Sequence, residues 1–147
     1  VILFCDTSAL VKLLIDEPGS EQIHQASQVA DVVAACRITW AEALAAMARR
    51  QREDPVSAAA IEQARQRLKQ LWPFFCIVEV SQDLVETAGR LADGFALRGY
   101  DSVQLAAATT LHSTTGQPLR FACFDRRLNQ AAQILKLEVL PTSSAWG

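Results

Sequence analysis

No stretch of this 147-residue chain approaches the roughly 20 uninterrupted apolar residues of a membrane-spanning helix. The opening apolar run, Val1 to Cys5, stops at Asp6, so the expectation is a soluble cytoplasmic protein. An excess of basic charge is also lacking. Lys and Arg number 14 against 16 for Asp and Glu, a formal net charge of −2, which excludes a general nucleic-acid coat. Histidine is scarce: His24 and His112 are too isolated for a zinc site and read as ordinary helix residues. Cys5, Cys36, Cys76 and Cys123 form no C-x-x-C pair; each falls in an apolar strand-like run and reads as a buried free thiol. Internal repeats, low-complexity segments and linkers are absent. Half of the residues are apolar, which excludes disorder and leaves one domain over residues 1–147, large enough to bury roughly two thirds of its unfolded surface. The initial Val in place of Met suggests a trimmed or alternatively started chain.

What is present is an alternation of short apolar runs with helical patterns. Val1 to Cys5 reads as a strand, and Ala9, Leu10, Leu13 and Leu14 give helical spacing over Ser8 to Ile15. Ser20 is placed to cap a helix through Gln28. Val32 to Ile38 is a second strand before a helix from Thr39 to about Arg52. Asp54 and Pro55 mark a helix start, with a stripe of Val56, Ala59, Ala60, Ala64, Leu68 and Leu71 ending at Pro73. Phe75 to Val80 is a third strand; Ser81 caps a helix whose apolar face runs to Gly99, and another helix spans Asp101 to about Thr114. Arg120 to Phe124, a helix over Asp125 to Leu135, and Leu137 to Leu140 complete the series. The order predicts an α/β fold with a mainly parallel sheet of four to five strands, covered on both faces by about seven helices.

Four carboxylates fall at or just past the ends of apolar runs where helices begin: Asp6, Glu42, Asp101 and Asp125. In parallel sheets ligands bind beyond the carboxyl ends of the strands. Two negative charges ~4 Å apart repel by roughly 4 kcal/mol at an effective dielectric of about 20, a cost that a divalent cation removes. Hard oxygen donors suit Mg²⁺ or Mn²⁺. Each acid also has a structural use. Asp6 and Asp125 are placed as helix N-caps, Thr39 with Glu42 fits a capping box, and Asp101 with Gln104 resembles another.

The segments Asp6-Thr7-Ser8-Ala9-Leu10-Val11-Lys12-Leu13, Trp40-Ala41-Glu42, Arg98-Gly99-Tyr100-Asp101-Ser102-Val103-Gln104-Leu105-Ala106 and Phe124-Asp125-Arg126-Arg127-Leu128, in this order, resemble the PIN-domain family, in particular ribonuclease toxins of VapC type. The resemblance covers nearly the whole chain and implies a three-layer α/β/α domain. It also implies that Asp6, Glu42, Asp101 and Asp125 form the acidic catalytic and metal site, with Thr7 or Ser8 supplying a hydroxyl. Cys123 departs from the pattern, because family members often carry Thr or another polar residue two positions before the last Asp.

The activity implied is endonucleolytic RNA hydrolysis with Mg²⁺, or Mn²⁺ in its place, leaving 5′-phosphate and 3′-hydroxyl ends. A homodimer held inactive by a VapB-like antitoxin is implied as well. Lys12, Arg49, Arg50, Arg52, Arg98, Arg126 and Arg127 are the candidates for RNA phosphate contacts, although Arg49 to Arg52 also suit a helix C-terminus. Trp40 and Tyr100 either pack in the core or stack on a base. A haloacid-dehalogenase-type phosphatase would need a second Asp where Ser8 stands, and a receiver domain would need paired early acids and a late Lys. The remaining alternative is a noncatalytic PIN-like module that binds RNA or a protein and uses its acids as caps.

Overall fold

In the computed structural model, which describes residues 1–142, five parallel strands form one sheet in the order β3-β2-β1-β4-β5. The last five residues of the expected 1–147 span lie outside the described residues. The strands are β1 (Ile2–Cys5), β2 (Val32–Cys36), β3 (Cys76–Val78), β4 (Leu119–Ala122) and β5 (Glu138–Leu140). Seven α-helices are found among the described residues: α1 (Thr7–Leu14), α2 (Ser20–Val29), α3 (Thr39–Glu53), α4 (Ala58–Leu71), α5 (Gln82–Phe95), α6 (Gly99–Thr115) and α7 (Arg126–Ile134). The expected α/β class is therefore present.

Strand alternation builds the layers. Ile2 and Phe4 of β1 point to one side, where they meet Leu84 of α5, Leu105 of α6 and Leu128 of α7. Leu3 and Cys5 point to the other, against Leu10 of α1, Ile23 of α2, Met47 of α3 and Leu68 of α4. Phe4 and Phe121, on neighbouring strands, stack with centroids 5.9 Å apart and are fully buried. Burying such a ring stabilises by about 1.5–3 kcal/mol. The central strand is paired on both edges, with Ile2 beside Val32 and Leu119. The chain moves outward from β1 to β3 in one direction and from β4 to β5 in the other. Strand order thus reverses between β1 and β4, the place where a crevice opens in sheets of this kind.

Several local expectations are corrected. Ser20 does not cap α2: Gly19 holds that position, and the Ser20 hydroxyl donates to the Ile15 carbonyl and accepts the Glu17 N–H. Asp54 makes no side-chain cap either, because Pro55–Ser57 forms a 3₁₀ turn ahead of α4. That turn shifts the apolar stripe, leaving Val56 93% exposed and burying Ile61, Ala64 and Leu68. Helix α5 stops at Phe95 rather than Gly99, because Ala96 takes a left-handed conformation (φ 54°) and the Leu97 N–H turns back to the Ala92 carbonyl. Strand β3 is shorter than expected, since Phe75 is tied into the Trp72–Phe74 turn; on this sheet edge Cys76 is only half-buried. Cys5, Cys36 and Cys123 are buried thiols, and burial pushes Cys5 and Cys123 far up. Cys123 lies one residue past β4. His24 and His112 lie in α2 and α6 as expected.

Candidate active site

Asp6 follows the last residue of β1, where an extended backbone turns into α1. Its Oδ1 accepts the Ala9 N–H at 3.0 Å, the N-cap bond, and the Ser8 hydroxyl at 2.7 Å. Ser8 in turn accepts the Phe124 N–H at 2.9 Å, so one hydroxyl ties the loop after β4 to Asp6. Asp6 is almost fully buried. Burial pushes its carboxyl up to about 6 and the Asp101 charge adds to this, against hydrogen bonds from Ser8, Ala9 and Cys123. The Cys123 thiol itself donates to the Asp125 carbonyl at 3.8 Å, and its sulfur accepts the Asp125 N–H at 3.3 Å.

Asp125 caps α7 through the Leu128 N–H at 3.0 Å, and Asn129 fixes the same loop by donating to the Cys123 carbonyl at 2.7 Å. Glu42 and Asp101 behave differently. Neither capping box forms. Ile38 is the N-cap of α3 and Arg98 that of α6, both without a side-chain cap bond. Thr39 instead takes a hydrogen bond from Gln104 at 2.8 Å. Glu42 Oε1 accepts from Gln104 at 2.8 Å and from the Thr7 hydroxyl at 2.7 Å. Asp101 receives Arg98 Nε at 3.0 Å, and the same guanidinium lies 3.8 Å from Asp125.

All four acids line one cleft of about 640 Å³ together with Thr7, Ser8 and Gln104. Of the cations expected near RNA, Lys12, Arg49, Arg50 and Arg98 line it, whereas Arg52, Arg126 and Arg127 do not. Arg126 and Arg127 open α7 and, like Arg52 near the end of α3, are exposed. Arg49 pairs with Glu53 along its own helix at 3.0 Å. Tyr100 contradicts core packing: at the second position of α6 it is 71% exposed, beside Asp101. Trp40 packs edge-on to Trp72 at 5.3 Å, away from the cleft.

Sequence reasoning missed Glu17. This carboxylate bridges Lys12 at 3.0 Å and Arg50 at 2.5 Å, and Lys12 lies over the Phe124 ring at 4.6 Å. Burial pushes Glu17 up, but the hydrogen bonds and charges of Arg50 and Lys12 outweigh it and hold the group below the ordinary carboxylate range. The stabilisation is thus complete above pH ~4.3 and is lost as pH falls through the lower folded value. Glu17→Gln is expected to lower stability at pH 7 by roughly 1–2 kcal/mol, discounted for the partly solvated Arg50. Denaturant titrations of both proteins should show the gap closing toward pH 3; a gap independent of pH would rule out the ion pairs as its source.

A model of the PIN domain family matches residues 3–134. Ribonuclease VapC45 of Mycobacterium tuberculosis strain CDC 1551 is 32% identical over 141 residues, 95% of each chain, and Ribonuclease VapC49 of strain H37Rv matches to the same extent. A toxin–antitoxin complex from Klebsiella pneumoniae contains a chain 27% identical, with a TM-score of 0.59 over 85% of this chain and 87% of that one. The Mycobacterium tuberculosis toxin VapC20, described as cleaving the sarcin–ricin loop, shares the fold at a TM-score of 0.64 and 19% identity, covering 88% of this chain and 94% of its own.

Proposed function

Because the chain belongs to the PIN-domain family, we propose that it is a metal-dependent endoribonuclease and the toxin of a toxin–antitoxin pair. It hydrolyses RNA phosphodiester bonds in the cytoplasm to 5′-phosphate and 3′-hydroxyl ends. The relatives named as ribonucleases and the similar toxin–antitoxin chain support this reading. The observation that carries it is the placement of Glu42 and Asp101, which cap nothing, in one cleft with Asp6 and Asp125. A noncatalytic module that uses its acids only as caps accounts for Asp6 and Asp125 but not for Glu42 and Asp101.

The donor set fits a hard divalent cation: all four groups are carboxylates, and Asp6 is raised by burial and by the charge of Asp101, a penalty that a cation relieves. Among the described residues no three such side chains are drawn together as ligands; Arg98, which lines the same cleft, pairs with Asp101 and lies 3.8 Å from Asp125. Asp6, Asp101 and Asp125 would hold Mg²⁺ or Mn²⁺, with Glu42 acting directly or through water. The ion supplies charge neutralisation at phosphorus and a water of lowered pKa. Thr7 orients Glu42, and Ser8 orients Asp6. Lys12 and Arg50, on the cleft wall, attract the phosphate backbone that the acids repel. Tyr100 offers an exposed ring for a base next to Asp101. A VapB-like antitoxin and a second copy of the chain are the expected partners.

The test is end-group mapping of RNA cut by the purified, partner-free protein in Mn²⁺, with calorimetric Mn²⁺ titration alongside. Asp101→Asn is expected to lose cleavage by on the order of 100-fold or more, together with Mn²⁺ affinity. Cyclic 2′,3′-phosphate ends, or cleavage undiminished in Asp101→Asn, would sink the proposal.

A further inference from the structure

Gln104 is buried in α6 one helical turn beyond Asp101, on the same face. Its Nε2 donates to Thr39 Oγ1 and to Glu42 Oε1, both at 2.8 Å, and approaches Thr7 Oγ1 at 3.4 Å. Its carbonyl oxygen is buried without any hydrogen-bond partner. Turning the amide over would set that oxygen against the Glu42 carboxylate, so the nitrogen has to face Glu42. The amide orientation is therefore set by the donor that Glu42 and Thr39 require. An apolar side chain of the same length would fill the space without supplying that donor, so packing alone gives no reason for an amide here.

We propose that Gln104 is a positioning residue that fixes Glu42 for metal and water, an inference that rests on the nuclease reading above. Thr7 and Gln104, 97 residues apart in the chain, place their hydrogen bonds on a single oxygen, Oε1, of Glu42. The other carboxylate oxygen is left outside this clamp, on a side chain that lines the cleft. Gln104 touches no reacting atom in this arrangement. It acts by restricting where Glu42 can stand, as the outer hydrogen-bond partners of metal ligands do.

The experiment is a double-mutant cycle of Gln104→Met with Glu42→Gln. It is read by Mn²⁺ affinity in calorimetry, by kcat and KM on a fluorophore–quencher pool of random single-stranded RNA, and by thermal midpoint. Gln104→Met is expected to lower kcat and Mn²⁺ affinity about 10- to 100-fold, with KM unchanged and the fold retained. In the Glu42→Gln background the same change should add less than about twofold, because the carboxylate that Gln104 positions is gone. Wild-type behaviour of Gln104→Met would overturn the inference, and so would a full-sized effect in the Glu42→Gln background. Should Gln104→Met fail to fold, Gln104→Glu, which keeps the size but replaces the donor with a carboxylate, carries the same expected losses and the same overturning results. Wild-type protein that neither binds Mn²⁺ nor cleaves would overturn the nuclease reading and the inference with it.

Discussion

Replacing Asp6 by Asn abolishes RNA cleavage and at the same time makes the metal-free protein more heat-resistant; both effects are expected from one feature. Asp6 is buried at the end of the central strand, and burial pushes its carboxyl up to about 6. The unfolded chain releases that proton near pH ~3.9. A raised folded pKa means that stability is greatest below the unfolded value, declines between the two, and is lower by a constant amount above about 6. At pH 7 the ionised carboxylate costs the native state roughly 3 kcal/mol. Asn keeps the oxygen that accepts the Ala9 and Ser8 bonds while removing the charge. The expected rise in melting temperature is roughly 5–10 °C at pH 7, shrinking toward zero below pH ~4. Scanning calorimetry across pH, with and without Mn²⁺, checks both parts. Saturating Mn²⁺ should stabilise the wild type and reverse the order of the two proteins. A lower melting temperature for Asp6→Asn at pH 7 without metal would show that the buried charge is not the liability described.

The second large effect arises at Gly19. Its φ of 95° lies in a region that L side chains rarely adopt, and an added Cβ would sit 2.8 Å from Cε1 of Phe124 and 3.1 Å from Cδ of Lys12. Gly19→Ala is expected to destabilise the protein by roughly 2–4 kcal/mol, combining backbone strain with the forced movement of a ring. The consequence reaches the cleft, because the Phe124 N–H is bonded to Ser8 and Lys12 lies over the Phe124 ring. Cleavage should fall along with stability. Gly89, inside α5, is the control, since nothing lies within 4 Å of an added Cβ there. Gly89→Ala should stabilise by up to about 1 kcal/mol. Equal denaturation midpoints for the two variants would refute the argument from space and φ.

The strand–helix alternation was legible because β1 and β2 are continuous apolar runs with a polar stop, and β4 is broken only by Arg120; buried parallel strands read this way. Asp6, Ser81 and Asp125 were legible as caps because capping is local, and all three make the N-cap hydrogen bond. The two capping boxes failed for a tertiary reason. Thr39 and Glu42 face Gln104, 65 and 62 residues away, and no pattern within a single helix encodes that pairing. Glu17 was hidden in an Asp-Glu-Pro-Gly turn, since its partner Arg50 lies 33 residues further along. Tyr100 looked like core by residue type, whereas its place at the mouth of α6 turns it to solvent.

With every strand running the same way, the two rims of the sheet are under unequal constraint. The rim where the strands finish carries Asp6 and the loop to Asp125, so a residue gained or lost there displaces a charge in the cleft. The opposite rim is entered through Ala30–Asp31 and Gly116–Pro118, and none of its residues lines that cleft. Chain length on that side is therefore free to drift, and a reporter peptide grafted between Gly116 and Pro118 should leave the chemistry at the far rim untouched.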